Sequence, residues 1–239
     1  MKNIAIALTA TLALAPASHA LAQAGCSSDG AARPVVLLER FINADCADCW
    51  TDPATPSPSG GTRTVALDWI VPGASGDDAP LSAAATRDGL IRLADLGRQP
   101  PKNTDVHISE VGAPPAGTVR VASGPPFNEY LGTSISWQPA AQGPKARGPW
   151  HYHLLLVEAI PAGTEGSTVA RNIVRNMLQG TWDAAGDAAV QPLGTKRVVF
   201  TEPRPMRIPE SAKPERLFML GWVQDARGQI VAAAQSVCR

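Results

Sequence analysis

Prolines and glycines recur along the whole chain, with 22 prolines and 21 glycines among 239 residues. Proline breaks helices and inner strands, and glycine favours turns, so the chain must fold from short elements joined by tight connections. Hydrophobic residues still make up 44% of the sequence, which is too large a share for a disordered chain. The composition therefore excludes both disorder and a bundle of long helices.

Acidic and basic side chains balance, with 21 lysines and arginines against 21 aspartates and glutamates. A chain without net charge has no global field that attracts nucleic acid, so we predict no nucleic-acid partner. The sequence also lacks the His-Glu-x-x-His pattern of zinc enzymes and the glycine-rich loops that hold phosphates. We accordingly predict neither a metal nor a cofactor.

The first 24 residues have the pattern of a secretory signal peptide. A basic Lys2 precedes an apolar run at residues 4–14, and Ala22-Gln23-Ala24 matches the small-residue cleavage pattern. The run is too short for a permanent anchor, and no later stretch is long and apolar enough to cross a bilayer, so we predict no membrane span. We expect cleavage near Ala24 and a periplasmic or secreted mature protein.

Four cysteines lie beyond the expected cleavage site, at Cys26, Cys46, Cys49 and Cys238. In an oxidising compartment an even number of cysteines favours disulfides, and four cysteines allow three pairings. Cys46 and Cys49 are close neighbours in sequence, and the ends of a compact domain often lie close together. We therefore predict the disulfides Cys46–Cys49 and Cys26–Cys238, the second as a structural link between the two ends of the mature chain.

Short apolar runs between prolines and glycines predict a series of strands. They cover residues 35–41, 64–71, 105–111, 118–123, 130–137, 150–160, 198–201, 217–224 and 229–236. Residues 168–178 fit both helical and strand spacing, and the neighbouring pattern favours a strand. One helix is predicted over Leu81–Leu96, where leucines recur at helical spacing before Gly97. From Thr104 onward the close spacing of strands indicates an antiparallel sandwich.

Four segments carry a resemblance to a known family: Val35 to Cys49, Gly124 to Gly132, Gly163 to Leu178, and Trp222 to Asp225. Together they resemble the secreted bacterial thioredoxin-like family catalogued as domain of unknown function 1223. The resemblance spans most of the mature chain, and the family has no settled biochemical activity.

The resemblance implies an α+β fold. A reduced, degenerate thioredoxin-like α/β lobe would occupy residues 25–112, and an antiparallel β-sandwich-like domain would occupy residues 113–239. It also implies roles for three residues of a disulfide exchanger: Cys46 as the attacking thiol, Cys49 as the resolving thiol, and Pro101 in the cis-proline loop opposite them.

Two features of the sequence oppose activation of Cys46. A thioredoxin-type thiol is activated at the N-terminus of a long helix, but Pro53 and the prolines that follow it leave room for a turn or two at most. Asp45 and Asp48 flank Cys46, and a neighbouring carboxylate disfavours a thiolate by like-charge repulsion. Both features favour a disulfide that stays closed.

Two functional hypotheses follow. In the first, the chain is an exported thioredoxin-like protein with, at most, weak thiol–disulfide oxidoreductase activity at Cys46 and Cys49. In the second, it is a non-enzymatic binding or assembly module whose Cys46–Cys49 disulfide is structural and whose partner is another exported protein. The redox behaviour of this cysteine pair distinguishes them.

Histidines offer one further pattern. His151 and His153 point to the same face of a predicted strand, and His107 could join them as a third metal ligand. Histidines on strands are more often ordinary surface residues, and no acidic or cysteine ligand lies at an informative spacing. We therefore predict no metal site at these three histidines.

Overall fold

The computed structural model describes residues 25–53, 63–113, 115–140, 148–183 and 198–238. The predicted signal peptide at residues 1–24 lies outside this part of the chain. The described residues form twelve strands and two α-helices. The strands are β1 (Cys26–Ser27), β2 (Val36–Asn43), β3 (Thr64–Val71), β4 (Thr104–Glu110), β5 (Gly117–Phe127), β6 (Tyr130–Pro139), β7 (Trp150–Ile160), β8 (Arg171–Trp182), β9 (Phe200–Arg207), β10 (Leu217–Gln224), β11 (Ile230–Gln235) and β12 (Val237–Cys238), and the helices are α1 (Ala47–Thr51) and α2 (Arg87–Asp95).

The twelve strands form two sheets. The larger sheet has seven strands in the order β11-β10-β7-β8-β3-β2-β4, and the smaller has five in the order β12-β1-β5-β6-β9. All pairings in the smaller sheet are antiparallel, whereas β2 pairs in parallel with β3, and β3 with β8, in the larger sheet. Strands from both ends of the chain thus share the larger sheet.

The prediction of a thioredoxin-like α/β lobe at residues 25–112 is wrong. The predicted β-sandwich is consistent with the two sheets. An α/β lobe needs helices long enough to cover its sheet, but α1 has five residues and α2 has nine. The parallel pair β2–β3 is of the kind found in such a lobe. Beyond β3, however, the sheet continues into β8, β7, β10 and β11, which makes the fold predominantly β.

The helix predicted over Leu81–Leu96 is shorter than expected. A 3₁₀ turn covers Ser82–Ala84, and α2 begins only at Arg87. Thr86 between them is extended, with φ −130° and ψ 148°, and its backbone N–H donates to the Ile70 carbonyl of β3. This backbone bond to the sheet interrupts the helical spacing that the leucines suggest. The ambiguous segment at residues 168–178, by contrast, enters strand β8 as expected.

A hydrophobic core fills the space between the two sheets. It includes Val121 and Ile135 from the smaller sheet and Leu154 and Met219 from the larger sheet, all fully buried. A Cβ atom added at Gly221 of β10 would lie only 2.7 Å from Val121 Cγ1 and 2.9 Å from Ile135 Cδ1. The absence of a side chain at Gly221 therefore lets the sheets approach closely.

Two further clusters bury the helices against the larger sheet. Leu93 of α2 packs in a cluster with Trp69 and Trp222, and Trp50 of α1 packs in another with Ile42 and Ile173. None of the helices in the described part of the chain has the length and apolar character needed to cross a membrane.

The larger sheet curls so that its two outer strands approach each other. The backbone N–H of Gly112, just after β4, donates to the Ile230 carbonyl of β11 at 2.9 Å. The Ala116 N–H likewise donates to the Val231 carbonyl at 3.2 Å. These bonds bring the end of β4 beside the β10–β11 turn, although the two strands lie at opposite ends of the sheet order.

The larger sheet also carries three buried ion pairs, in which every side chain is at most 6% exposed. They join Arg40 to Asp68 at 2.7 Å, Arg92 to Glu39 at 2.7 Å, and Arg175 to Glu158 at 2.6 Å. A buried charge is tolerated only when it is paired and hydrogen-bonded, so these pairs constrain how the strands and α2 fit together.

The Cys26–Cys238 disulfide closes the chain, as predicted. Cys26 and Cys238 are direct partners in the antiparallel pair β1–β12, with their Cα atoms 4.1 Å apart. The strand β1 also pairs with β5, so the bridge attaches both ends of the described chain to the edge of the smaller sheet.

Candidate functional site

The Cys46–Cys49 disulfide lies where β2 passes into α1. Both cysteines are half-buried, their Cα atoms are 5.3 Å apart, and the pair is oxidised, as predicted. Cys46 precedes the first residue of α1, and Cys49 lies in its middle. The helix ends at Thr51 after five residues, which agrees with the turn or two that the prolines allow.

Asn43 connects this turn to Pro101. Its side-chain amide donates to the Pro101 carbonyl at 3.0 Å, and its side-chain oxygen accepts from the Asp45 backbone N–H at 2.9 Å. Its own carbonyl accepts from the Cys46 N–H at 3.0 Å. The structure thus places Pro101 beside the cysteine turn. Among the described residues the one cis peptide bond precedes Pro149, so the peptide bond before Pro101 is trans and the cis-proline loop that the resemblance implies is not formed there.

Three side chains hold α1 against the rest of the protein. Trp50 is 5% exposed, and its indole N–H donates to the Glu165 carbonyl at 2.7 Å. Arg40 donates to the Cys49 carbonyl at 3.4 Å, and Arg171 donates to the Asp52 carbonyl while its guanidinium lies 5.8 Å from the centre of the Trp50 ring. The carbonyl groups of Cys49, in the middle of α1, and of Asp52, just after it, therefore accept hydrogen bonds from buried arginines.

The carboxylate of Asp45 is fixed next to Cys46. It accepts hydrogen bonds from the backbone N–H groups of Ala74 at 2.8 Å and Ser75 at 3.2 Å. Asp48 lies exposed in the first turn of α1. Both acidic side chains that flank Cys46 in sequence therefore also lie at this turn in space, where their negative charge opposes a thiolate.

A second site is a cavity of about 500 Å³ at one end of the larger sheet. Its wall includes the C-terminal end of α2, parts of β4, β7 and β8, and the β10–β11 turn. Polar side chains dominate the lining, among them His107, His151, His153, Asp95, Gln179 and Gln224.

The sequence pattern indicates the three histidines but not the acidic and amide groups that join them in the cavity. Asp95, Gln179 and Gln224 lie on three different elements, and only the curl of the sheet and the position of α2 bring them together. The spacing of His151 and His153 on one strand is the one local sequence pattern that indicates this cavity. Within the described residues no group of three or more His, Cys, Asp or Glu side chains is arranged to hold a metal ion.

His153 is the most unusual side chain of this cavity. It is 5% exposed and stacks on Trp222, with ring centroids 4.6 Å apart and an interplanar angle of 11°. Its Nε2 lies 3.9 Å from the nearer carboxylate oxygen of Asp95, beyond hydrogen-bond range, and neither ring nitrogen has a hydrogen-bond partner among the described residues. Burial lowers the pKa of His153 below its usual value, so the ring is neutral at pH 7.

Arg92, His107 and His151 at the cavity already have partners. Arg92 donates from Nε and Nη2 to both carboxylate oxygens of Glu39, at 2.9 and 2.7 Å, and its guanidinium lies 5.1 Å from the centre of the Trp222 ring. His107 and His151 each have a hydroxyl within 3.0 Å, from Ser109 and Thr181 respectively. The pKa of the Asp95 carboxyl lies below its usual value because His153, Gln179 and Arg92 face it, and the group is ionised at pH 7.

The buried, neutral His153 predicts a specific dependence of stability on pH. Its pKa in the folded protein lies below the unfolded reference of 6.5, so the unfolded chain binds the proton more readily. We expect His153 to lower the free energy of unfolding progressively as the pH drops from 7 to 5. In His153→Phe, which keeps an aromatic ring on Trp222, this decline should be shallower. Urea unfolding at a series of pH values measures it, and equal slopes for the two proteins would contradict the assignment.

Comparisons with known proteins give a fold and no family. No protein-family model matches the chain, and no curated protein matches it. Among solved structures it is similar to HBP35 of Porphyromonas gingivalis, with a TM-score of 0.53 and 10% sequence identity over 85% of this chain and 74% of that one. At this identity the similarity concerns the fold alone. The resemblance to domain of unknown function 1223 stays a prediction.

Proposed function

We propose that this chain is an exported binding or assembly protein in which the Cys46–Cys49 disulfide is structural. The observation that carries this proposal is the fixation of α1 around the disulfide. The side chain of Trp50, which belongs to α1, is buried against the rest of the protein. Arg40 and Arg171 donate to the carbonyl groups of Cys49 and Asp52. A short helix held in this way is braced by a covalent bond across its first turn.

The surroundings of the cysteine pair also oppose thiol–disulfide exchange. Exchange requires a thiolate, which the N-terminus of a long helix stabilises, and α1 has five residues. Asp45 is held beside Cys46 by two backbone N–H groups. The Pro101 carbonyl accepts a hydrogen bond from the Asn43 side chain, so this backbone group of the loop is engaged within the protein.

Export is supported by the same covalent links. Both pairs of cysteines are oxidised in the structure, and disulfides persist in oxidising compartments outside the cytosol. The amino-terminal pattern ending at Ala24 supplies the corresponding signal. We therefore place the mature protein in the periplasm or in the medium.

Insulin reduction tests the proposal directly. In the presence of dithiothreitol, we expect neither the wild-type protein nor Cys46→Ser/Cys49→Ser to accelerate insulin precipitation above the background rate, with a thioredoxin as positive control. Circular dichroism establishes that the double variant is folded before it is compared. Acceleration by the wild type that disappears in the double variant would identify an exchanger and overturn the structural interpretation.

A further inference from the structure

The histidine cavity contains an unsatisfied buried group. Both ring nitrogens of His153 are buried without a hydrogen-bond partner among the described residues, although the ring is fixed by stacking on Trp222. Buried polar atoms in folded proteins nearly always have partners, because an unmade bond leaves the cost of desolvation uncompensated. The imidazole therefore marks a place where a bound molecule can complete the hydrogen bonding.

The charge balance of the cavity indicates the sign of that molecule. The positive charge of Arg92 is neutralised by the two-point contact with buried Glu39. Asp95 is left as a carboxylate with a side chain that is 39% exposed, and it is the last residue of α2. Its negative charge adds to the negative end of the helix dipole at the same place. An anion would be repelled here, and a cation would be attracted.

The hydrogen-bonding groups indicate the chemistry of that cation. The carboxylate of Asp95 only accepts hydrogen bonds, and neutral His153 keeps a lone pair on one ring nitrogen. The 3.9 Å between His153 Nε2 and Asp95 Oδ2 is short enough for one donor nitrogen to bond both, with the proton of the neutral ring on Nδ1. Because Nε2 is buried, the partly exposed Asp95 side chain must move to admit that nitrogen. A group with several N–H donors, such as an ammonium, satisfies both acceptors at once.

Resting on the proposed binding function, we propose that this cavity is a binding site for a small organic ammonium cation, with Asp95 and His153 as the groups that hold it. The cavity of about 500 Å³ accommodates a molecule of metabolite size. Gln179 and Gln224 line the same space. The Gln224 amide nitrogen donates to the Gly228 carbonyl at 2.9 Å, so its side-chain oxygen is the group left for the remainder of the ligand.

Three probes with the same four-carbon chain separate charge from shape: 1,4-diaminobutane, 1,4-butanediol and succinate. We expect isothermal titration calorimetry at pH 7.5 to show saturable, one-to-one binding of the diamine, at least tenfold weaker binding of the diol, and no binding of succinate. Tighter binding of succinate or of the diol than of the diamine would overturn the cation assignment while leaving a binding function in place. The absence of saturable binding by all three probes would overturn the site.

Variants locate the binding within the cavity. Asp95→Asn removes the negative charge at nearly constant size and should weaken diamine binding at least tenfold, and His153→Phe should weaken it while keeping the ring on Trp222. Asp29→Asn is the matched control, because that carboxylate pairs with Arg120 on the smaller sheet. Unchanged affinity in Asp95→Asn would overturn the proposal. These results are independent of insulin reduction, so failure of this site and failure of the structural role of Cys46–Cys49 are distinguishable.

Discussion

Replacing Cys26 and Cys238 together by alanine should lower the free energy of unfolding by about 5 kcal/mol, by the chain-entropy relation for a long loop. The bridge joins residues separated by 212 positions, so its loss frees nearly the whole mature chain in the unfolded state. The folded state also loses support, because β1 and β12 each have only two residues and are held to each other by this bond.

Removal of the other disulfide is the matched comparison. Cys46 and Cys49 are separated by three positions, and the same relation gives a loss of about 2 kcal/mol for the Cys46→Ala/Cys49→Ala variant. Urea unfolding of both variants without reductant measures the two losses. Equal losses, or a larger loss for the short loop, would show that stabilisation by the Cys26–Cys238 bridge does not follow loop length.

Replacing Arg92 by methionine should destabilise the protein by about 3–5 kcal/mol, the cost of leaving a buried charge without its partner. Arg92 is 2% exposed, and Glu39 is fully buried on β2, where the guanidinium supplies both of its side-chain hydrogen bonds described above. Because Arg92 is the point at which α2 is fixed to β2 by charge, the variant also removes a constraint on the wall of the histidine cavity.

Removing both charges shows how much of the lost stability comes from leaving Glu39 unpaired and how much from losing the ion pair itself. In Arg92→Met/Glu39→Leu we expect most of the lost stability to return, because apolar residues of similar volume replace a buried pair at little cost. Arg120→Ala, which breaks the exposed pair with Asp29, should change stability by less than about 1 kcal/mol. Chemical denaturation of all three variants tests this order, and a double variant as unstable as Arg92→Met would contradict it.

Local strand formation followed from the sequence because it depends on neighbouring residues. The run Thr64–Val71 is β3 with the same bounds, since a β-branched apolar stretch before Pro72 has few alternatives. The prediction of an α/β lobe was wrong because it depended on which strands are neighbours in the sheet. A buried parallel pair such as β2–β3 is compatible with several folds, and its neighbours in the sheet are decided by contacts with β8, more than a hundred residues further along the chain.

The two candidate sites also differ in whether their residues are close in sequence or are brought together only by long-range contacts. The cysteine turn could be located because Cys46, Cys49 and their flanking aspartates are contiguous in sequence. The histidine cavity could not, because His153 meets Asp95 only after β7 pairs with β8 and α2 packs against Trp222. Those contacts depend on the curl of the larger sheet, which no local pattern encodes.

The reduction potential of the Cys46–Cys49 pair is the decisive quantity for the proposed function. It is measured by equilibrating the protein in dithiothreitol mixtures, trapping the thiols by alkylation and quantifying the peptide that contains both cysteines. A structural disulfide should have a potential below about −300 mV. A value between about −270 and −120 mV, the range of known disulfide oxidoreductases, would contradict a structural role and identify the pair as a redox centre.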